Sequence, residues 1–255
     1  MVLTEDTPPS APLPRRVWSF WPTIGFSTVI LIAYNALQLL VILAVFVIQI
    51  CTSEIGLQEA LGQLATNGLA FSLAIIVSVP LGLLLVLLFI RLKKDLSVAD
   101  YLGFKPLRVK TALLSALIFL VILAVVLMVE NYLGESGDAN FSTELYRNSG
   151  FLPGLWLAVV FLAPLFEEVF FRGFLFVGLR SSRLGTVAAI VLTSLLWAAM
   201  HLQYNLYGIA QILGIGLILG IVRHKTDSLW SPLIIHILWN GAAMIFTALY
   251  ISSGG

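Results

Sequence analysis

Charged residues are scarce in this chain. Asp, Glu, Lys and Arg make up 11% of its 255 residues, whereas a soluble domain carries about 25%. Apolar residues make up 60%, and the mean hydropathy is +1.02. Because so few side chains are suited to water, the composition excludes an ordinary soluble domain. It predicts that most of the chain lies in a lipid bilayer.

Cysteine and net charge are equally sparse, and each excludes a class of protein. Cys51 stands alone, so the chain can form neither an intramolecular disulfide nor a cysteine metal cluster. The formal net charge is +1 with no basic stripe, which argues against nucleic acid as a partner. The predicted surroundings are the lipid bilayer, and nothing in the sequence fixes the oligomeric state.

Long apolar runs are what the chain has instead. A bilayer core needs about 20 apolar residues in a helix, and helices satisfy their own backbone in lipid. We therefore predict an all-α, polytopic transmembrane helix bundle with seven spans, or eight if Pro164 divides the fourth run. Pro80 predicts a kink in the second run. The runs cover roughly residues 23–50, 69–90, 111–129, 151–179, 186–201, 206–222 and 232–251.

The placement of Lys and Arg predicts the orientation of these spans. Cations precede the first run and occur after the second, fourth and sixth runs, whereas the alternate connections hold few. By the positive-inside rule, we expect a cell-membrane protein with its N-terminus in the cytoplasm. Seven spans would place the C-terminus outside and eight would place it inside. Residues 1–22 are polar and proline-rich and predict a flexible cytoplasmic tail, and residues 23–130 hold N-terminal transmembrane helices.

Ionisable groups interrupt the fourth run. Such groups cost a few kcal/mol or more in a span, so they are rare and usually functional. Glu168 and Arg172 are four residues apart and can pair on one helix face. Glu167 is then left without a local partner, and a carboxylate in this position is suited to take a proton from water. The alternative is that all three residues form one buried polar clamp.

Two histidines lie in later runs. His236 and Asn240 share a helix face, and both can donate hydrogen bonds to a negative oxygen. His201 is alone on its helix, where an interfacial role is the simpler interpretation. At about 1.5 Å per residue, Glu167 lies roughly 20 Å from the inner face, His201 roughly 27 Å and His236 about 6 Å. These groups meet only if residues 226–232 re-enter the bilayer, or if the topology is wrong by one segment.

Three motifs in this order resemble the CPBP family of CAAX proteases and bacteriocin-processing intramembrane proteases, also called the Abi family. Residues 167–172 read Glu-Glu-Val-Phe-Phe-Arg and match its Glu-Glu-x-x-x-Arg signature. Trp197 to His201 matches Phe-x-x-x-His, with Trp in place of Phe, and His236 to Asn240 matches His-x-x-x-Asn. The resemblance implies a catalytic transmembrane core over residues 150–251.

The family resemblance also implies a reaction. It implies an endopeptidase that hydrolyses a peptide bond of a membrane-associated or lipidated peptide or protein. Glu167 would be the general base, and His201 would hold or polarise the water. His236 and Asn240 would stabilise the oxyanion, a role in which one donor is worth about 10²–10³ in rate.

The remaining motif residues take supporting roles in this interpretation. Arg172 would be structural, and Glu168 chiefly so, although Glu168 is often counted with the catalytic set. Trp197 keeps an aromatic ring beside the site.

Zinc is the open question about cofactors. Glu167, His201 and His236 could bind zinc with a water in the fourth position. Asn240 is a poor zinc ligand and a good hydrogen-bond donor, which favours a metal-free reaction without a cofactor.

Two other functions compete with the protease. One is a non-catalytic immunity or binding protein of the membrane. The other is a proton-coupled transporter in which Glu167 and the histidines relay protons. A transporter would favour two related halves, and the sequence shows no such repeat.

Overall fold

Helices make up all the regular structure in the part of the chain that the computed structural model describes, residues 17–52, 56–94, 96–134 and 139–254. In chain order they are α1 (Phe20–Thr52), α2 (Leu57–Gln63), α3 (Gly68–Arg91), α4 (Val98–Leu102), α5 (Val109–Leu133), α6 (Ala139–Arg147), α7 (Leu152–Arg180), α8 (Gly185–Ala199), α9 (Leu206–Thr226) and α10 (Trp230–Ser252).

Among these described helices, six are long and apolar enough to cross a bilayer: α1, α3, α5, α7, α9 and α10. The apolar helix α8 is shorter, with 15 residues. Each of the seven predicted runs therefore corresponds to a helix, and the chain is a multi-pass membrane protein with an all-α bundle. Pro164 does not divide the fourth run, since α7 continues through it. A π-helical stretch, Leu157–Leu162, precedes this proline, and its wider turn already departs from the α-helical bonding that proline disrupts.

The chain is ordered before the first predicted run. Trp18 donates a hydrogen bond from its indole nitrogen to the carbonyl of Phe89 at 2.9 Å, and the Lys93 ammonium lies 4.9 Å from the Trp18 ring centroid. Helix α1 begins at Phe20, within the predicted tail of residues 1–22. Residues 1–16 of that tail lie outside the described residues.

The carboxylate of Asp227 contacts three cationic side chains at one end of the bundle. Asp227 adopts a left-handed conformation with φ of 48° between α9 and α10. Its carboxylate lies 2.5 Å from the Lys105 ammonium, 3.3 Å from Arg223 and 3.8 Å from Arg180. Partial burial raises the pKa of Asp227, but Lys105 and Arg223 outweigh it and hold that pKa below its usual value. The connection from α4 to α5 and the ends of α7 and α9 therefore meet, and the side of the membrane that they face stays a prediction.

Arg223 is not the loop cation that the sequence indicated. It is 2% exposed and lies within α9. Its Nε donates to the carbonyl of Arg172 at 3.1 Å, and one terminal nitrogen donates to the carbonyl of Leu102 at 3.2 Å. The charge is tolerated in the interior because backbone carbonyls and Asp227 satisfy its donors.

Phe166 holds α7 against α1 and α3, one residue before Glu167. Its ring is fully buried and stacks on Tyr34, with centroids 4.0 Å apart. On its other side it stacks on Phe170 at 5.8 Å. Gly82 of α3 faces this ring, and a Cβ at that position would overlap it.

We predict that Gly82→Ala destabilises the protein by about 1–3 kcal/mol, because the Phe166 ring is held between two aromatic rings and cannot move aside. The measurement is the thermal unfolding midpoint in detergent. Gly25→Ala is the control, since the space around a Cβ there is open, and it should stabilise α1 by about 0.5–1 kcal/mol. Equal midpoints for the two variants would contradict this account of the contact.

Candidate active site

A cavity of about 500 Å³ lies inside the bundle. Its walls come from α1, α3, α5, α6, α7, α9 and α10, together with the end of α8. The predicted site residues Glu167, Trp197, His201, His236 and Asn240 all line it. The structure therefore brings together side chains that lie up to 73 positions apart in the sequence.

Glu167 is the carboxylate of the motif that reaches the cavity. Its side chain is 16% exposed. One oxygen accepts a hydrogen bond from the indole nitrogen of Trp197 at 2.5 Å, and the same oxygen lies 3.8 Å from Nε2 of His236. A neutral donor thus orients the carboxylate without cancelling its charge.

Glu168 points the other way, into the protein. It is fully buried, and its Oε1 accepts a hydrogen bond from Arg172 at 3.0 Å and lies 2.9 Å from Nδ1 of His236. Arg172 is also fully buried and donates to the carbonyl of Gly216 at 3.3 Å. The predicted pair of Glu168 and Arg172 is present, and Glu167 stays outside it. The clamp of all three residues is therefore not what forms.

A π-helical stretch, Glu168–Leu175, carries this pair, and all eight of its residues are buried. Helical residues that are adjacent in sequence lie about 100° apart around the axis, so Glu167 and Glu168 face different surroundings. Stretches of π-helix occur frequently at functional sites.

His236 lies between the two glutamates. Because Glu168 accepts a hydrogen bond from Arg172 at the same oxygen, we assign Nδ1 of His236 as the donor in its contact with Glu168. The other ring nitrogen faces Glu167 at 3.8 Å. The ring also packs edge-on against Trp197, with centroids 5.1 Å apart.

The estimated depth of His236 in the membrane, about 6 Å, stays a prediction. That estimate placed the membrane face at Pro232, but Leu229 and Ser231 are fully buried, so α10 begins inside the protein. Asp227, which contacts the end of α7 through Arg180, is the proper reference. His236 lies nine positions from Asp227 and Glu168 lies twelve from Arg180, distances of about 14 Å and 18 Å along straight helices. The π-helical stretch shortens the second, so no re-entrant stretch is needed.

Asn240 and His201 are both held by backbone carbonyls. The Asn240 amide donates to the carbonyl of Val159 at 2.8 Å, which leaves its second N–H available. Nδ1 of His201 lies 2.8 Å from the carbonyl of Trp197, so this nitrogen is the donor. In the neutral ring of His201, Nε2 is then an acceptor.

Whether zinc binds at these residues stays a prediction. Among the described residues, no three His, Cys, Asp or Glu side chains are placed to hold a metal ion together. The candidate zinc ligands Glu167, His201 and His236 line one cavity, but one nitrogen of His236 is used by Glu168 and one of His201 by a carbonyl.

Sequence reasoning missed polar residues on other walls of the cavity. Tyr34, Asn35 and Gln38 of α1 line it, and the signal was three polar side chains within the first apolar run. Glu130 was assigned to a connection, but α5 continues to Leu133, so Glu130 is helical and lines the cavity too.

Residues 149–242 match the family model described as type II CAAX prenyl endopeptidase Rce1-like. This segment is similar to the Rce1-like family. It contains all three motifs and every predicted site residue, so the predicted resemblance is confirmed there. Helices α1 to α6 lie outside the match.

One known protein is similar in sequence to part of the chain. An uncharacterized 24.3 kDa protein of Escherichia coli is 35% identical to the chain over 92 residues, which is 35% of this chain and 42% of that protein. The chain therefore spans less than half of the length of this relative. No solved structure matches the chain.

We predict that Arg172→Met destabilises the Rce1-like segment by about 3–5 kcal/mol, because it leaves Glu168 charged, buried and unpaired. Thermal unfolding in detergent measures this. The double variant Glu168→Gln, Arg172→Met should recover part of the loss, since no lone charge remains. Arg91→Met, at an exposed position, is the control and should change stability by less than about 1 kcal/mol. A double variant that is no more stable than Arg172→Met would contradict the pairing argument.

Proposed function

We propose that this protein is an intramembrane endopeptidase that hydrolyses a peptide bond of a membrane-associated or lipidated substrate without a metal ion. One observation carries the proposal. Glu167 is an oriented carboxylate that reaches the same cavity as His236 and Asn240, while Oε1 of its neighbour Glu168 is held by Arg172 and His236.

The first step is the attack of water on the carbonyl carbon of the scissile bond. Glu167 takes one proton from the water as a new carbon–oxygen bond forms, and the carbonyl π electrons move to oxygen. Nε2 of His201 is an acceptor in the cavity wall and is suited to hold the second hydrogen of this water. Trp197 keeps the Glu167 carboxylate aimed by donating to it throughout.

Hydrogen-bond donors are needed to stabilise the negative charge that develops on the carbonyl oxygen. Asn240 offers the amide hydrogen that Val159 does not use. His236, whose Nε2 faces Glu167, would add a second donor when that nitrogen carries a proton. The intermediate then collapses, the carbon–nitrogen bond breaks, and Glu167 returns its proton to the leaving nitrogen.

Two features of the cavity support a peptide substrate at the membrane. The volume of about 500 Å³ lies within the range of ligand sites in proteins. Its walls combine apolar residues of α5 and α10 with amides and hydroxyls of α1 and α6, and such mixed walls suit an amphipathic peptide.

We predict that Glu167→Gln lowers peptide cleavage by about 10²-fold or more, because a neutral amide cannot take the proton from water. Purified protein in detergent would be mixed with a randomised library of peptides with blocked ends, and products would be identified by mass spectrometry. Activity of the unmodified protein should be unchanged by a strong chelator.

Glu144→Gln is the matched control, since Glu144 is 49% exposed and pairs with Arg147 outside the cavity wall. Cleavage at the normal rate by Glu167→Gln would sink the mechanism. Binding of peptides without cleavage by the unmodified protein would favour the non-catalytic interpretation, and loss of activity with the chelator would contradict the metal-free reaction.

We further predict that Asn240→Ala lowers kcat by about 10²–10³ and changes KM little, because its free amide hydrogen serves the oxyanion and not the bound substrate. The measurement is steady-state kinetics on a peptide selected from the library. Ser252→Ala, at an exposed position of the same helix, is the control. A rise in KM at constant kcat would show instead that Asn240 binds substrate.

A further inference from the structure

Glu130 is an acidic residue that the proposed reaction does not use. It lines the same cavity as Glu167 and is partly buried near the end of α5. Its carboxylate accepts a hydrogen bond from Gln211 of α9 at 2.9 Å, which is a neutral donor. No cation pairs with it among the described residues. The C-terminal end of a helix carries a partial negative charge, which disfavours a carboxylate there. The described residues therefore do not compensate the negative charge of Glu130.

Negative side chains also outnumber positive ones along the whole described wall of the cavity. The described residues that line it include two carboxylates, Glu130 and Glu167, and the histidines His201 and His236, but no Lys or Arg. In an enclosed, weakly polar space, an unbalanced charge acts strongly on whatever enters. The complementary charge must then be brought by the occupant.

We propose that Glu130 is a specificity-determining residue that selects substrates with a positive charge, a Lys or Arg side chain or a free α-amino group, in the segment bound in the cavity. The inference rests on the proposed function, since it names the substrate class of the same site.

A purely structural role for Glu130 makes a different prediction. The bond from Gln211 joins α5 to α9, and a clamp of this kind would affect stability and overall activity. It would not change which peptides are chosen. The two roles can therefore be separated by the charge preference of cleavage. Only a specificity role predicts that this preference reverses when the charge at position 130 changes sign.

The experiment uses the full-length protein in detergent and the randomised library with blocked ends. We expect the products of the unmodified protein to be enriched in Lys and Arg at one position relative to the cleaved bond by about tenfold. Glu130→Gln keeps an acceptor for Gln211 and should remove the enrichment. Glu130→Lys should shift it to Asp and Glu, and the control Glu144→Gln should retain the original preference. Unchanged enrichment in Glu130→Gln, or no charge preference in the unmodified protein, would overturn the proposal.

Failure of the proposed function would look different. If the unmodified protein cleaves no peptide, peptides retained by the immobilised protein can be sequenced instead. Retention of Lys- and Arg-containing peptides that is lost in Glu130→Gln would support the role of Glu130 while removing the peptidase. Retention without charge preference would overturn the role of Glu130 as well.

Discussion

The buried ion pair of Glu168 and Arg172 is the interaction on which the site depends. Neither charge could lie fully buried alone, since an isolated ion in the interior costs several kcal/mol. Together they join three helices, because Glu168 also accepts from His236 of α10 and Arg172 donates to the carbonyl of Gly216 in α9. With its neighbour occupied in this way, Glu167 is left to face the cavity.

Trp197 connects this buried pair to the cavity. The guanidinium of Arg172 lies 4.5 Å from its ring centroid, and its indole nitrogen donates to Glu167. The motif of the family has Phe at this position, and a phenyl ring could stack on the cation but could not donate a hydrogen bond. The Trp in this chain therefore supplies a hydrogen bond to Glu167 that the Phe of the motif could not supply.

The sequence predicted those features that depend on residues close together in the chain. The seven apolar runs became helices because length and hydropathy decide what spans a bilayer, and the spacing of Glu168 and Arg172 fixed their pairing. The depth of His236 and the burial of Arg223 could not be predicted in this way. Both depend on where α10 starts relative to its neighbours, which is set by contacts with Gly103, Leu102 and Asp227 far away in the sequence.

The proposed role of Glu167 as a base constrains the charges that can lie around it. A fixed Lys or Arg beside Glu167 would stabilise its ionised form and make it a weaker proton acceptor. Among the described residues, the neutral indole of Trp197 orients the Glu167 carboxylate, and the guanidinium of Arg172 pairs with Glu168 instead. A cavity built under this constraint has no cation of its own to balance Glu130. In the proposed reaction, the need for a Glu167 carboxylate without a paired cation would leave the positive charge to the substrate, so the proposed catalysis and the proposed selectivity would have a common physical origin.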